Sequence, residues 1–428
     1  MASSDPDSSA AAIPDTRRTS VDAFRHRDFS LYLLGRVLGG LGIEMQIVAV
    51  GWQVYAISGQ ALDLGLVGLA QFSPFLVLFP FTGMAADRLP RKRILAACST
   101  LQTICSISLL TITLTGHTYF PLIFTILVML GVARAFQMPA QSAIVPNLVP
   151  GHHFSNAVVW NSAGNQTARV IGPAAGGFGL FLGGVPGVYG VVVALLICAT
   201  ISLLTIRAPT RIAARGGTSF EDFLAGFKFI WSHQVILGAI SLDLFAVLLG
   251  GVTALLPIFA KDILHVGELG FGILRAAPSA GAILCALVLA NRPVTRHAGA
   301  KIISSVAIFG LAIVTFGLSK DFYLSAAVLA ILGAADMVSV FVRSNLVQII
   351  TPDMMRGRVS AINSVFIGAS NELGEFESGI TAYWWGTVPA VVVGGVATLT
   401  VAILFALFMR ELRSVDSLDH DELTARYR

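Results

Sequence analysis

The stretch GMAADRLPRKRILAA, residues Gly83 to Ala97, holds one acidic and four basic side chains within a few positions. The sequence on both sides is almost uncharged: nothing between Asp63 and Asp87 is ionised, and only His117 interrupts the run from Ile94 to Ala133. A short basic hairpin between two long apolar runs is typical of a connection at a membrane surface.

The composition of the whole chain agrees with a membrane protein. Its 428 residues are 55% hydrophobic and only 12% charged, with a mean hydropathy of +0.79. A soluble domain carries about 25% charged residues. In a membrane protein the net charge of +4 does not indicate a nucleic-acid partner, and none is expected. The informative feature is which connections carry the cations. The four cysteines lie in apolar runs without metal-ligand spacing, so we expect neither disulfides nor a metal site.

Apolar runs long enough to cross a bilayer recur along the chain. A helix needs roughly 20 apolar residues to cross about 30 Å of hydrocarbon. Within lipid every backbone polar group must be paired, which predicts helices and an all-α fold with twelve transmembrane spans. The predicted spans are residues 30–57, 64–87, 93–115, 119–142, 155–182, 187–206, 235–260, 268–291, 299–318, 322–345, 359–385 and 388–409.

The basic residues of the connections are distributed asymmetrically. Connections on the other side of the membrane from the N-terminus hold only Lys261 and Lys320. Because cytoplasmic connections carry an excess of Lys and Arg, we expect both termini in the cytoplasm and a multi-pass protein of the inner (plasma) membrane. The basic residues on the N-terminal side are Arg88, Arg91, Lys92, Arg93, Arg207, Arg211, Arg215, Lys228, Arg292, Arg296, Lys301, Arg356 and Arg358.

The two halves of the chain repeat each other. Gly131 and Gly333, Asn161 and Asn363, and Gly172 and Gly374 are each 202 positions apart. Two facing six-helix repeats enclose a central site. The predicted domains are a disordered cytoplasmic tail (1–27), a six-helix bundle (28–207), a cytoplasmic linker with an amphipathic helix (208–233), a second six-helix bundle (234–410) and a cytoplasmic tail (411–428).

The hairpin and the repeat together resemble the major facilitator superfamily of secondary transporters. In that family the acid of the hairpin holds the cytoplasmic side closed by pairing with a cation. The resemblance therefore implies a gating clip in which Asp87 pairs with a cation such as Arg134; Pro90 stands where glycine is usual. Alternatively, the cations only set the topology. The residues that match the hairpin motif are Gly83, Asp87, Arg88, Arg91 and Lys92.

A second motif, GPAAGG, lies in the fifth span and resembles the fifth-helix motif of the family's antiporters. Its longer glycine pattern is incomplete, because Ala168 and Val159 replace expected glycines. Proline bends a helix and glycine lets a neighbouring helix approach closely, so the motif is expected to seal the outer side of the cavity. Ordinary small-residue packing is the alternative. The motif residues are Gly172, Pro173, Gly176 and Gly177.

Two further stretches narrow the resemblance to one branch of the superfamily. RAFQMPAQSAIVPNLVP (Arg134 to Pro150) and SNELGEFESG (Ser370 to Gly379) are similar to the branch containing enterobactin-type siderophore and macrolide exporters. The resemblance favours export over uptake and leaves the substrate open.

Several charged residues lie inside the predicted spans, where an ionised group costs about 3 kcal/mol or more. Two adjacent carboxyls in a low dielectric do not both ionise easily, which suits a proton carrier. Structural ion pairs of these acids with Arg169 or Arg275 are the alternative, and the asparagines equally suit interhelical hydrogen bonds. The proton-coupling candidates are Glu44, Asp336, Glu372 and Glu375. The candidates for substrate or counter-ion are Arg36, Arg169, Arg275, Asn161 and Asn363.

These features together predict a proton-coupled exporter, that is, an antiporter of a small amphipathic molecule such as a drug or a siderophore. Uptake or facilitated diffusion is the alternative, followed by a membrane sensor or enzyme on a transporter scaffold. The sequence has no GxxxxGK[ST] and no HExxH, so we expect no enzyme and no cofactor. The expected partners are the small-molecule substrate, protons and the lipid bilayer, and the chain is expected to be a monomer.

Overall fold

The computed structural model describes residues 22–117, 119–207, 220–292, 294, 296–418 and 423. Long helices dominate this part of the chain, as the apolar runs predict. They are α1 (Arg27–Ser58), α2 (Ala61–Arg88), α3 (Arg91–Leu114), α4 (Phe120–Ile144), α5 (Phe154–Thr205), α6 (Phe220–Ser232), α7 (Gln234–Leu249), α8 (Gly267–Asn291), α9 (Ala298–Leu318), α10 (Phe322–Ile350), α11 (Asp353–Trp385), α12 (Thr387–Phe408) and α13 (Arg410–Arg413).

Ten helical segments of the described chain are long and apolar enough to cross a membrane. One of them, Asn156–Thr205 in α5, is 50 residues long and bends back at Gly184, where φ is 60° and ψ is −167°. It therefore supplies two spans. Helix α11 has 33 residues and is excluded from the ten by its polar residues, which include Glu372 and Glu375. The second half of α5 and α11 bring the ten to the expected twelve.

The helices form an N-terminal group, α1 to α5, and a C-terminal group, α7 to α12, with the short helix α6 between them in the chain. Gly226 of α6 lies against Arg358 and Ile362 of α11, so this linker helix is attached to the C-terminal group. The first part of the predicted linker, residues 208–219, lies outside the described residues. The domain boundaries proposed from the sequence stay predictions.

Repeat-related glycines make repeat-related contacts. Gly131 of α4 lies against the backbone of α2, and Gly333 of α10 lies against the backbone of α8. In the same way Gly172 of α5 lies against α1, and Gly374 of α11 lies against α7. Each glycine permits an approach that a β-carbon would block. The 202-residue repeat is therefore a repeat of helix packing, and the fold is two pseudo-symmetric groups of six spans.

The spans have two ends, called here the linker side, where α1 begins and α6 lies, and the far side. The two groups meet along α2 with α11 and along α5 with α8. At these seams Gly65 lies against Gly379, and Gly177 lies against Gly272. All four glycines lie in the far-side halves of their spans. Close backbone packing thus joins the two groups towards the far side.

Candidate functional site

A cavity of about 360 Å³ lies among helices α1 to α5 of the N-terminal group. It begins near the linker side, where Tyr32, Gln141 and Leu203 line it. It passes Glu44 and Arg169 near the middle of the spans and ends at Val50 and Leu127, in the far-side halves of α1 and α4. The cavity therefore extends from the linker side to beyond mid-height.

The cavity wall is unusually polar for the inside of a membrane protein. Arg36 and Glu44, which are eight positions apart and thus near one face of α1, project from that helix, and Arg134 and Arg169 project from α4 and α5. These four side chains carry a formal charge of three cations and one anion. The amide side chains of the wall are Gln46, Gln71, Gln102, Gln137, Gln141 and Asn165.

An ion pair joins the two groups of helices at mid-height, beside this cavity. Arg134 of α4 donates from Nη1 to Oε1 of Glu372 in α11, over 2.6 Å. The side chain of Glu372 is 13% exposed, whereas that of Arg134 is 51% exposed and lines the cavity. Arg134 therefore connects the cavity wall directly to the opposite group of helices.

More charged groups surround this pair. Glu375 lies one turn further along α11, where a β-carbon on Gly68 of α2 would be 3.0 Å from its Oε2 atom. Arg275 of α8 donates to the carbonyl oxygen of Thr253 over 3.0 Å, and its charge acts on both Glu375 and Glu44. The site thus gathers carboxyls and guanidinium groups from both halves of the chain.

Glu44 also belongs to this cluster. Its β-carbon packs against Gly172 of the fifth span, and the charges of Arg169, Arg275 and Arg134 act on it. Three carboxyls, those of Glu44, Glu372 and Glu375, therefore lie in the field of three guanidinium groups. We call these six residues the mid-height cluster.

The far side of the cluster is closed by contacts between α1 and the C-terminal group. Trp52 stacks on Phe271 with ring centroids 5.5 Å apart. The hydroxyl of Tyr55 donates to Asp262 Oδ2, and the ammonium group of Lys261 lies 5.4 Å from the centroid of the tyrosine ring. Both contacts lie beyond the mid-height cluster, so the cavity is accessible from the linker side and covered on the far side.

The fold and this polar cavity agree with the comparison of the sequence with protein families. Residues 18–426 match the family model described as transmembrane secretion effector, which is part of the major facilitator superfamily. The chain belongs to this family. Its members are transporters and not enzymes.

Curated relatives of this secretion-effector chain include siderophore exporters. The enterobactin exporter EntS of Citrobacter koseri is 25% identical over 392 residues, which cover 91% of this chain and 93% of that protein. EntS of Shigella boydii is 25% identical over 393 residues, with the same shares covered.

Solved transporter structures share the fold at low identity. A bacterial homologue of the human lysosomal transporter Spinster, in an inward-facing and unoccupied conformation, superimposes with a TM-score of 0.69. It is 15% identical and covers 95% of this chain and 98% of its own. A bacterial homologue of the iron transporter ferroportin gives a TM-score of 0.66 at 14% identity, covering 91% and 99%.

Asp336 lies apart from the other acids that the sequence selected. It borders a void of about 10 Å³ within the C-terminal group, together with Asp243 and Ser339. Arg343 of α10 donates from Nη1 to Asp243 Oδ2, and both residues are buried. The charges of this pair act on Asp336. Asp336 therefore belongs to a second ionic cluster, together with Asp243 and Arg343. It forms no ion pair with Arg134, which lies at the matching position of the repeat.

The ion pairs with Arg169 or Arg275 that were the alternative to proton coupling do not form among the described side chains. Among the described side chains, neither arginine has a carboxylate oxygen within the 4.0 Å limit of an ion pair. Arg275 is held by a backbone carbonyl instead, and the carboxyl of Glu372 pairs with Arg134.

The hairpin residues are only partly described. The side chain of Asp87 lies outside the described part, so its role in a clip stays a prediction. Arg134, the cation suggested for it, is bound to Glu372 near mid-height instead. Lys92 donates to the carbonyl of Ile206 at the end of α5, within its own group of helices. The site roles of Gly83, Arg88 and Arg91 stay predictions.

The two repeat-related asparagines do not line the cavity. The side-chain oxygens of Asn161 and Asn363 are both buried and accept no hydrogen bond from the described residues. Their role in binding a substrate stays a prediction.

Sequence reasoning missed two parts of the site. Arg343 was overlooked because the tenth span was expected to end at residue 345, which places an arginine at a membrane surface. The helix continues to Ile350 and buries Arg343. The glutamines of the third and fourth spans were also missed; Gln102 donates to Gln137 over 2.9 Å, and both line the cavity. Helical spacing along each span would have found them.

Proposed function

We propose that this chain is a proton-coupled exporter of a small amphipathic molecule, working by alternating access in the inner (plasma) membrane. The observation that carries this proposal is the Arg134–Glu372 ion pair, which joins the two groups of helices at mid-height beside the cavity. A carboxyl in that position links its own ionisation to the contact between the two groups.

The excess of Lys and Arg in the connections on the linker side supports an orientation with both termini and the linker side in the cytoplasm. In this orientation the cavity opens to the cytoplasm in the conformation described. An exporter collects its cargo from that side. The family description, transmembrane secretion effector, and the exporter names of the curated relatives support the same direction.

Proton coupling follows from how the Arg134–Glu372 pair would respond to a proton. Ionised Glu372 attracts Arg134 and favours the conformation described, whereas neutral Glu372 would hold it only weakly. In the far-side-open conformation a carboxyl of the mid-height cluster takes up a proton from outside. The return step carries this proton inward, and its release to the cytoplasm allows the ion pair to form again.

The cargo must overcome this ion pair for the far side to open. Bound in the cavity, it contacts the exposed half of the Arg134 side chain and can replace the contact with Glu372. The far-side seams, where Gly177 meets Gly272 and Gly65 meets Gly379, then separate while the linker side closes. The predicted clip of Asp87 with Arg88, Arg91 and Lys92 would act in that linker-side-closed conformation.

The cargo class follows from the cavity and the relatives. Its wall holds both polar and apolar side chains, which suits an amphipathic molecule of drug or siderophore size. The relatives are named as enterobactin exporters, so a siderophore belongs in the first set of compounds to be tested.

Transport by the purified protein in liposomes tests this proposal. A panel of siderophores and drug-like compounds is offered with and without an imposed pH gradient. We expect gradient-driven transport by the wild type and its loss in at least one of Glu44→Gln, Glu372→Gln and Glu375→Gln. Gradient-driven transport that survives all three changes would refute the assignment of these carboxyls. Transport of a compound at one rate with or without the gradient would indicate facilitated diffusion.

A further inference from the structure

Arg36 is a half-buried cation of the cavity wall that is hydrogen-bonded to the side chain of Tyr32, and the described residues supply no carboxylate partner for it. It lies on α1, two turns closer to the linker side than Glu44. Its Nε and Nη1 atoms are buried and donate to no acceptor among the described residues. The ion pairs of the described chain do not include it.

The acids of the cavity region are balanced in number by cations other than Arg36. The mid-height cluster has three carboxyls and three guanidinium groups, and Arg36 is not among the charges that act on Glu44. The second ionic cluster, around Asp243 and Arg343, lies in the C-terminal group. Arg36 is therefore a surplus positive charge on the cavity wall.

A guanidinium group stays protonated in proteins, so the positive charge of Arg36 is permanent. A half-buried charge without a counter-ion is costly, and such a charge is normally paired or in contact with water. The lost hydrogen bonds at Nε and Nη1 add to this cost. The cost falls when a negatively charged oxygen group enters the cavity and lies beside the guanidinium group.

The surroundings of Arg36 suit such a group attached to an apolar body. Tyr32 and Gln141 lie beside it on the cavity wall, with the tyrosine hydroxyl held by the carbonyl of Gln141 at 3.2 Å. Deeper in the cavity the wall includes Ile43 and Leu130. A charged oxygen group at Arg36 would thus lie in the linker-side part of the cavity, with its organic body directed along apolar side chains such as those of Ile43 and Leu130.

We propose that Arg36 forms an anion subsite that binds a carboxylate, or an oxyanion of similar charge, of an organic acid cargo. This inference adds a class of ligand to the transport function proposed above. It rests on that function only in treating the bound acid as a transported cargo. The binding itself needs neither a proton gradient nor the conformational cycle. Binding and transport can therefore be tested separately.

The test compares two ligands that differ in charge and little in shape, 2-naphthoate and 2-naphthamide. Equilibrium binding to the purified full-length protein is measured for the wild type, Arg36→Gln, Arg36→Lys and the control Arg93→Gln. Arg93 is an exposed cation at the linker-side end of α3, outside the cavity. The thermal unfolding midpoint of each variant shows whether it is folded.

We expect the wild type and Arg93→Gln to bind the acid more tightly than the amide. Loss of one charge-assisted interaction should weaken binding of the acid about 10- to 100-fold in Arg36→Gln and leave the amide unaffected. Arg36→Lys should keep part of the preference, because it keeps the charge.

Three results would overturn the inference. They are an unchanged preference for the acid in a folded Arg36→Gln protein, the absence of any preference in the wild type, and displacement of 2-naphthoate by chloride at equal concentration. The last result would indicate a site for a bare inorganic anion. None of these results bears on proton coupling, which the liposome experiment tests. If the acid binds through Arg36 but transport ignores the gradient, the subsite stands and the proposed coupling fails.

Discussion

A single β-carbon at the far-side seam should change which side of the cavity is open. Gly177 of α5 and Gly272 of α8 touch through their backbones across the two groups of helices. A β-carbon added at Gly177 would overlap the Cα atom of Gly272, and no flexible side chain is present to move aside. Gly177→Ala therefore forces the far-side ends apart and destabilises the conformation that opens to the linker side.

The size of this effect follows from the cost of overpacking, which is about 1–3 kcal/mol for a methyl group in a close-packed contact. The cost applies only while the seam is closed, so it acts directly on the equilibrium between the two conformations. A bias of about 1–3 kcal/mol changes such an equilibrium about 5- to 150-fold. Gly183→Ala, on the same helix, is the matched control, because a β-carbon there would have no neighbouring atom within 4 Å.

Spin-label distances measure this equilibrium. A far-side pair at Leu182 and Tyr323 and a linker-side pair at Arg93 and Asn291 use exposed positions on opposite groups of helices. The four native cysteines are first replaced by serine. We expect Gly177→Ala to increase the population of long far-side distances and of short linker-side distances. Unchanged distances, or equal shifts in the control variant, would refute the account of the seam.

Other contacts give further expectations. Arg343→Gln should destabilise the fold by about 3–5 kcal/mol, because buried Asp243 loses its partner; an unchanged unfolding midpoint in detergent would contradict this. Tyr55→Phe removes the hydrogen bond to Asp262 and should favour far-side opening by about 1 kcal/mol or less, because Asp262 is an exposed acid. The same spin labels measure this shift, and no shift would mean that the contact has no gating role. Glu372→Gln removes the ion pair between the groups and, since its guanidinium partner is half exposed, should favour far-side opening about fivefold; a shift in the opposite direction would count against the proposed coupling.

The twelve spans and the repeat were predictable because both depend on local patterns. An apolar run of span length has few alternatives in lipid, and glycines at a constant offset preserve close packing in both halves. The relation of Gly131 to Gly333 and of Gly172 to Gly374 is visible in the sequence, and both pairs make matching contacts. Span ends were less certain, because Arg343 reads as a surface residue unless the helix is known to extend to Ile350.

The partners of the charged residues could not be predicted from the sequence. Helical spacing places Arg36 and Glu44 on one face of α1, and both line the cavity. Which acid pairs with which cation depends on how the two groups of helices pack against each other. That packing is not visible in any local pattern of the sequence. Arg134 was expected near the hairpin and pairs with Glu372, which lies 238 positions away in the chain.

Access to the cavity from each side of the membrane is the most direct test of the proposed mechanism. Asn165 is an exposed residue of the cavity wall, and Asn165→Cys in a protein without native cysteines offers one thiol there. A maleimide that cannot cross membranes is added to oriented vesicles from either side, with and without a pH gradient. We expect labelling from the cytoplasmic side at rest and labelling from the outer side when cargo and gradient drive the cycle. Labelling from the cytoplasmic side alone under every condition would contradict alternating access.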